Sequence, residues 1–191
     1  MGKMKNILKS LFRKKSKVHI LLDIDGVLNP NHEPYGDYEV ITHPWGKWTV
    51  RTNVLKWLEK LSKMEYVQVH WISTWEDESN TINTYQKIKD FDYFAINGTV
   101  AEGKLKAIKE QLILAKGDTV IVIDDSLDKE DLLILGAVEK QHELVSEILR
   151  IADENHSPLH IIIPDKNVGI TDEEMEMVDN FIGQTLYSIK S

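Results

Sequence analysis

Short apolar runs alternate along this chain with longer amphipathic stretches. Val18–Leu22, Tyr66–Ile72, Phe91–Ile96, Thr119–Ile123 and Leu159–Ile163 are dense in β-branched and aliphatic residues. Runs of this length, bounded by turn residues, read as strands buried on both faces, as in parallel sheets. Between them apolar residues recur at helical spacing. Leu55, Leu58 and Leu61 share one face of a helix predicted over about 54–64, with Asn53 as its amino-terminal cap. A helix over about 104–115 is expected to stop at Gly117. Residues 76–89 also read as helical. So do residues 129–155, in two pieces, with Leu144, Val145, Ile148, Leu149 and Ala152 facing inward. Thr171-x-x-Glu174 is a capping box that opens a last helix to about 188. The alternation is interrupted once, by residues 29–52, which are rich in Pro, Gly and aromatic residues. They predict a loop and a hairpin with arms Tyr38–Ile41 and Lys47–Val50. The whole pattern predicts an α/β fold: a doubly wound, parallel, five-stranded Rossmann-like sheet with helices on both faces.

Length and charge refine this picture. The chain has 191 residues, enough for one domain with a sizeable core. Residues 1–17 hold seven of the 23 bases and none of the 31 acids, leaving 16 bases against 31 acids, or −15, in residues 18–191. The organisation predicted is a basic arm, 1–17, followed by a single acidic α/β domain, 18–191. Ile7, Leu8, Leu11 and Phe12 give the arm an amphipathic pattern. It reads either as a solvated terminus or as a contact for anionic lipid or nucleic acid. No apolar run is long enough to span a bilayer and no signal-peptide pattern is visible, so a cytoplasmic setting is expected. The chain has no Cys, which removes disulfides, thiolate metal sites and cysteine nucleophiles together.

The candidate chemistry lies where the first strand ends, in Leu22-Asp23-Ile24-Asp25-Gly26-Val27-Leu28-Asn29-Pro30. Open α/β sheets bind ligands at the carboxyl ends of their strands. Two carboxylates roughly 6–7 Å apart along a strand repel each other unless a cation or a substrate group uses them. Hard divalent cations such as Mg²⁺ take oxygen ligands of this kind. A calcium-binding loop is excluded, because Val27 stands where a third oxygen ligand is required. A metal-bound nucleotide-sugar transferase and a pair of solvated turn aspartates are the other readings of D-x-D.

Three further stretches bear on the choice. The second strand ends Trp71-Ile72-Ser73-Thr74-Trp75, Gly103-Lys104-Leu105 opens the helix after the third, and the fourth ends Ile123-Asp124-Asp125-Ser126. In this order the four stretches resemble the four motifs of the haloacid dehalogenase (HAD) superfamily of phosphohydrolases. The resemblance covers roughly residues 18–130. Response-regulator receivers use the same residue kit in a different order. The wording D-x-D-G-V-L-N-P, the Trp pair around Ser73, Glu76 and Asn80, K-L-x-A-I and the ending Pro164-Asp165 with Gly169-Ile170-Thr171 resemble small phage and bacterial members. The stretch 128–157 departs from them, being longer than one crossover helix needs.

The resemblance implies a Mg²⁺-dependent phosphatase working through an aspartyl-phosphate. Asp23 would be the nucleophile and Asp25 the general acid and base. Ser73 and Lys104 would bind the oxygens of the transferring group. Asp23, Asp25 (through its backbone carbonyl), Asp124 and Asp125 would form the metal site, with Asp125 ligating Mg²⁺ and Asp124 orienting Lys104. A catalytically weak phospholigand-binding or regulatory module is the alternative. HAD enzymes insert their caps after the first motif or before the third. Here those intervals hold only a hairpin and a short loop, less than the about 40 residues a domain with its own core needs. No large cap domain is therefore expected. The site should be open, shielded at most by the 34–50 hairpin with Trp45 and Trp48, and should favour a phosphorylated nucleotide or nucleic acid end. The seven His show no metal-ligand spacing, and core packing is the first reading of Trp45, Trp48 and Trp75.

Overall fold

The structure, a computed structural model, describes residues 17–43, 46–75, 91–97, 99–127 and 138–188. The elements in chain order are β1 (Val18–Leu22), β2 (Tyr38–His43), β3 (Gly46–Arg51), α1 (Thr52–Ser62), β4 (Val67–Trp71), β5 (Asp92–Tyr93), α2 (Val100–Leu114), β6 (Thr119–Ile123), α3 (Val138–Glu154), β7 (Leu159–Ile162) and α4 (Asp172–Ser188). A single 3₁₀ turn, Asp125–Leu127, follows β6. Five strands form one sheet in the order β5-β4-β1-β6-β7, and every pairing in it is parallel. The expected doubly wound α/β architecture is present, and it is Rossmann-like. β1 lies in the centre, where the two halves of the sheet diverge.

Alternation along the strands sorts the core into two layers. Ile20 and Leu22 of β1 pack with Trp71 of β4 and Ile123 of β6, beneath Leu55 and Leu58 of α1 and Val178 and Ile182 of α4. Leu21 points the other way, with Val120 and Val122, beneath Leu105, Ile108 and Leu112 of α2 and Ile148 and Ile151 of α3. Every residue of β1 and β6 is buried. That is why these two runs carry no polar alternation.

Several boundaries differ from the sequence expectation for physical reasons. Helix α1 begins at Thr52, and its cap position, Arg51, makes no side-chain capping bond. Asn53 lies inside the helix and turns its amide to Asp172, so the predicted cap is not one. β5 is only two residues long because it is an edge strand paired solely with His70 and Trp71. Helix α2 starts four residues earlier than predicted. Thr99 caps it by accepting from the Glu102 N–H at 3.3 Å, which puts Lys104 in the second turn. The predicted capping box forms as read: Thr171 N–H donates to Glu174 Oε2 at 2.7 Å, and Glu174 N–H donates to Thr171 Oγ1 at 3.2 Å. Residues 1–16 of the basic arm, the predicted helix over 76–89 and the first part of 129–155 lie outside the described residues.

The hairpin β2–β3 is a separate two-stranded antiparallel sheet. Its Ile41, Trp48 and Val50 are buried in the α1–α4 layer of the core. Arg51, 5% exposed, ties the hairpin to the start of α4. It donates to Tyr35 Oη at 3.1 Å, to the Ile170 carbonyl and to Asp172 Oδ1 at 3.4 Å. Among the described residues, neither the β1–α1 interval nor the segment between β5 and α2 contains a folded cap. Among the described residues no helix is long and apolar enough to cross a membrane.

Toward the amino end of β1 and β6 runs a buried polar chain: His70 Nε2 to His19 Nδ1 at 3.4 Å and His19 Nε2 to Asp118 Oδ2 at 3.2 Å. Burial, helped by the His19 ring, pushes His70 down to about 4, against the pull of Asp92. Between that value and the ordinary 6.5 the unfolded chain holds more protons than the folded one. The stability this provides is complete above about pH 6.5 and is lost as pH falls toward 4. The His70→Leu variant should therefore lose about 2 kcal/mol less than the wild type between pH 7 and pH 5, as measured by urea denaturation. Equal losses would show that folding does not shift the titration of His70.

Candidate active site

The register of the sheet builds the site. Leu22 pairs with Ile123 on one side and with Trp71 on the other. Asp23 N–H then donates to the Ile123 carbonyl at 3.0 Å, and Ile72 N–H to the Leu22 carbonyl at 3.0 Å. The first residues past β1 and β6 are therefore level. They are Asp23 and Asp124, exposed by only 4% and 0%. Two carboxylates this deep require a cation.

Lys104 supplies one. Its own exposure is 3%, and its Nζ donates to Asp23 Oδ2 at 2.5 Å, to Asp124 Oδ1 at 3.1 Å and to Ser126 Oγ at 3.0 Å. Glycine at position 103 lets it sink this far. A Cβ there would lie 2.6 Å from Ile96 Cγ2, so α2 passes too close to the 94–97 segment for any side chain. Asp124 Oδ2 lies 3.0 Å from the same ammonium but makes no hydrogen bond; the contact is purely coulombic. Ser126 completes the cluster, its N–H and O–H donating to Asp124 Oδ1 at 2.8 and 2.6 Å.

Burial first, and the Asp124 charge second, push the Asp23 carboxyl up to about 7, against the pull of Lys104 and of the Ile24 N–H. Burial also opposes the charge on Lys104, but Asp23 and Asp124 outweigh it and hold its pKa above the ordinary value. The two directions agree physically: one buried ammonium does not fully neutralise two buried carboxylates.

A third acid stands beside them. Asp125 is half-buried at the start of the 3₁₀ turn, and its carboxylate lies against the backbone of Gly26. That glycine has φ +73°, and a Cβ on it would fall 2.4 Å from Asp125 Cγ. Only glycine fits a left-handed turn packed this closely. Asp23, Asp124 and Asp125 each present one oxygen within 4.8 Å of the others. Three carboxylate oxygens this close, beside the Asp124 Oδ2 that makes no hydrogen bond, fit a hard divalent cation.

The other sequence-predicted residues fall as follows. Ser73 is buried just past β4, the strand beside β1, and accepts from the Trp75 N–H at 3.5 Å. Thr74 is exposed. Asp25 is exposed, and its side chain is not part of the three-acid cluster. Its Oδ1 accepts from Asn29 Nδ2 at 3.1 Å and its Oδ2 from Trp75 Nε1 at 2.6 Å. Trp48 is 2% exposed and does not line a mouth; it meets Trp75 edge-to-face at 4.8 Å. Trp45 lies outside the described residues. Sequence reasoning gave no part to Ser126, Asn29 or Trp75's indole. Only Ser126 had a visible signal: Asp-x-Ser is a local side-chain-to-backbone turn.

Removing the shared cation exposes the cost of the arrangement. In EDTA, the Lys104→Met variant should be less stable than the wild type by about 3–5 kcal/mol, as measured by urea denaturation. A cost under about 1 kcal/mol would mean that Asp23 or Asp124 is already neutral in the fold. No protein-family model matches the chain, and no curated protein matches it.

Proposed function

We propose that the protein is a Mg²⁺-dependent phosphomonoesterase that works through an aspartyl-phosphate on Asp23, a reading in keeping with the HAD-like order of its motifs. The observation that carries it is the Lys104 ammonium shared by Asp23 and Asp124, with the Asp125 carboxylate beside them. A buried carboxylate at a strand end, facing a fixed ammonium, suits attack on an electrophile that brings its own negative oxygens.

In the first step an Asp23 oxygen bonds to phosphorus as the bond to the ester oxygen breaks. The electron pair stays on that oxygen, and Asp25 gives it a proton. In the second, Asp25 takes a proton from water. The water oxygen bonds to phosphorus, the acyl-phosphate bond breaks, and Asp23 and inorganic phosphate are released. Lys104 holds Asp23 in place and offsets charge on the phosphoryl oxygens. Ser73 would donate to one of those oxygens, and Ser126 holds Asp124 against Lys104. Asp23, Asp124 and Asp125, with the Asp25 backbone carbonyl, would hold Mg²⁺, whose positive charge favours both the nucleophile and the transferring group. Among the described residues no cap covers the site, which leaves room for a bulky ester, such as a nucleotide or a nucleic acid end. Buried Trp48 offers it no stacking face.

Two measurements test this reading. Phosphate release should require Mg²⁺ and stop in Asp23→Asn. The Asp125→Ala variant should need roughly tenfold more Mg²⁺ for half-maximal rate than Asp124→Ala, because Asp124 is engaged by Lys104. Full activity in a folded Asp23→Asn protein, with no deamidation by mass, would remove the nucleophile assignment. The second compares kcat/KM for a 3′-phosphorylated oligonucleotide, a mononucleotide and a hexose phosphate. The first two should exceed the third, and preference for the hexose phosphate would overturn the proposed substrate class.

A further inference from the structure

Asp25 is exposed, yet neither of its carboxylate oxygens is free to turn. An exposed turn aspartate ordinarily rotates in water; this one is held by two neutral donors, one from its own turn and one from 50 positions away in sequence. Trp75 lies four residues past the end of β4, and its indole N–H reaches Asp25 Oδ2 at 2.6 Å. Asn29 closes the turn after β1 and reaches Oδ1 at 3.1 Å. The orientation of the Asn29 amide is chemically determined. Thr49 N–H, on β3, can only donate, and it meets Asn29 Oδ1 at 3.1 Å. The nitrogen of that amide must therefore face Asp25.

Both donors are braced by the same strand of the hairpin. Thr49 fixes Asn29. Trp48, the preceding residue, is buried and sets its ring edge-to-face against Trp75 at 4.8 Å. Ile41, opposite Trp48 in the hairpin register, is buried in the same core. The hairpin is thus a rigid support that fixes the direction of one carboxylate outside the three-acid cluster.

We propose that Trp75 is a positioning residue which, with Asn29, aims Asp25 at the leaving oxygen of the ester. This inference rests on the phosphatase reading above. A carboxyl group offers about four lone-pair directions, so one donor on each oxygen leaves room for the transferred proton and for the ester oxygen. Loss of the indole N–H frees Oδ2 and lets the carboxyl swing. Esters that leave as alkoxides need the proton in the transition state and should suffer. Esters that leave as a stabilised phenolate need it far less. The ratio of the two rates separates misaiming of Asp25 from general damage to the fold.

The test uses the full chain with Mg²⁺ and two substrates, an alkyl phosphate and p-nitrophenyl phosphate. In Trp75→Phe, which keeps an aromatic edge for Trp48, kcat/KM for the alkyl ester should fall at least about tenfold more than for the aryl ester. The second readout is the indole N–H resonance of Trp75 in a ¹H–¹⁵N spectrum, identified by its loss in Trp75→Phe. In Asp25→Ala it should move upfield more than the resonances of the other four Trp. Equal losses on the two esters, or an unmoved indole resonance, would overturn the proposal. If the wild type hydrolyses neither these esters nor a mononucleotide nor a 3′-phosphorylated oligonucleotide while the indole still moves, the phosphatase reading falls. The catalytic part of this inference falls with it, and the hydrogen bond stands.

Discussion

One buried ammonium holds the site together. Parallel pairing forces Asp23 and Asp124 to the same level on neighbouring strands, and the apolar layers above and below exclude the water that would otherwise solvate them. Without Lys104 the sheet would have to bury two like charges side by side, a penalty of several kcal/mol per ion. The lysine has to come from α2, and α2 can approach only because residue 103 has no side chain. Strand register, helix approach and charge are therefore a single constraint. Altering any one of them disturbs the other two.

Around that centre the turn after β1 is held rigidly. Leu28 and Asn29 N–H groups both return to the Ile24 carbonyl, at 2.8 and 2.9 Å, and the Ile170 N–H reaches the Val27 carbonyl at 2.9 Å. Gly169, at φ +75°, permits that last approach, since a Cβ there would lie 2.7 Å from the Val27 carbonyl oxygen. The segment after β7 thus supports the turn that carries Asp25, and Arg51 ties the same segment to the hairpin.

Much of the architecture was legible because it is encoded locally. The unbroken apolar runs of β1 and β6, the acids that end them and the reciprocal Thr171–Glu174 cap are all decided by neighbours in sequence. Reading failed where distant groups competed for a side chain. Asn53 has the chemistry of a cap, but Asp172 claims its amide. Trp48, by contrast, was read first as core, and it is: a two-stranded hairpin has one face to bury, and Trp48 lies on it. The start of α2 lies earlier than the apolar spacing suggests, because Thr99 caps the helix. No periodicity could reveal the indole of Trp75 on Asp25, since that contact joins residues 50 positions apart.

The sheet order has a consequence for how the chain acquires its site. β1 must pair with β6 before Asp23 and Asp124 meet, and Lys104 joins Asp23 across 81 positions of sequence. Pairings of such long range form slowly, because loop closure precedes their reward. A chain that has paired only β1 with β4 has one acid at the strand end and no reason to attract a cation. Any ion that binds the three acids therefore binds the completed fold and not its precursors. By mass action such an ion shifts the folding equilibrium without helping the chain to reach it.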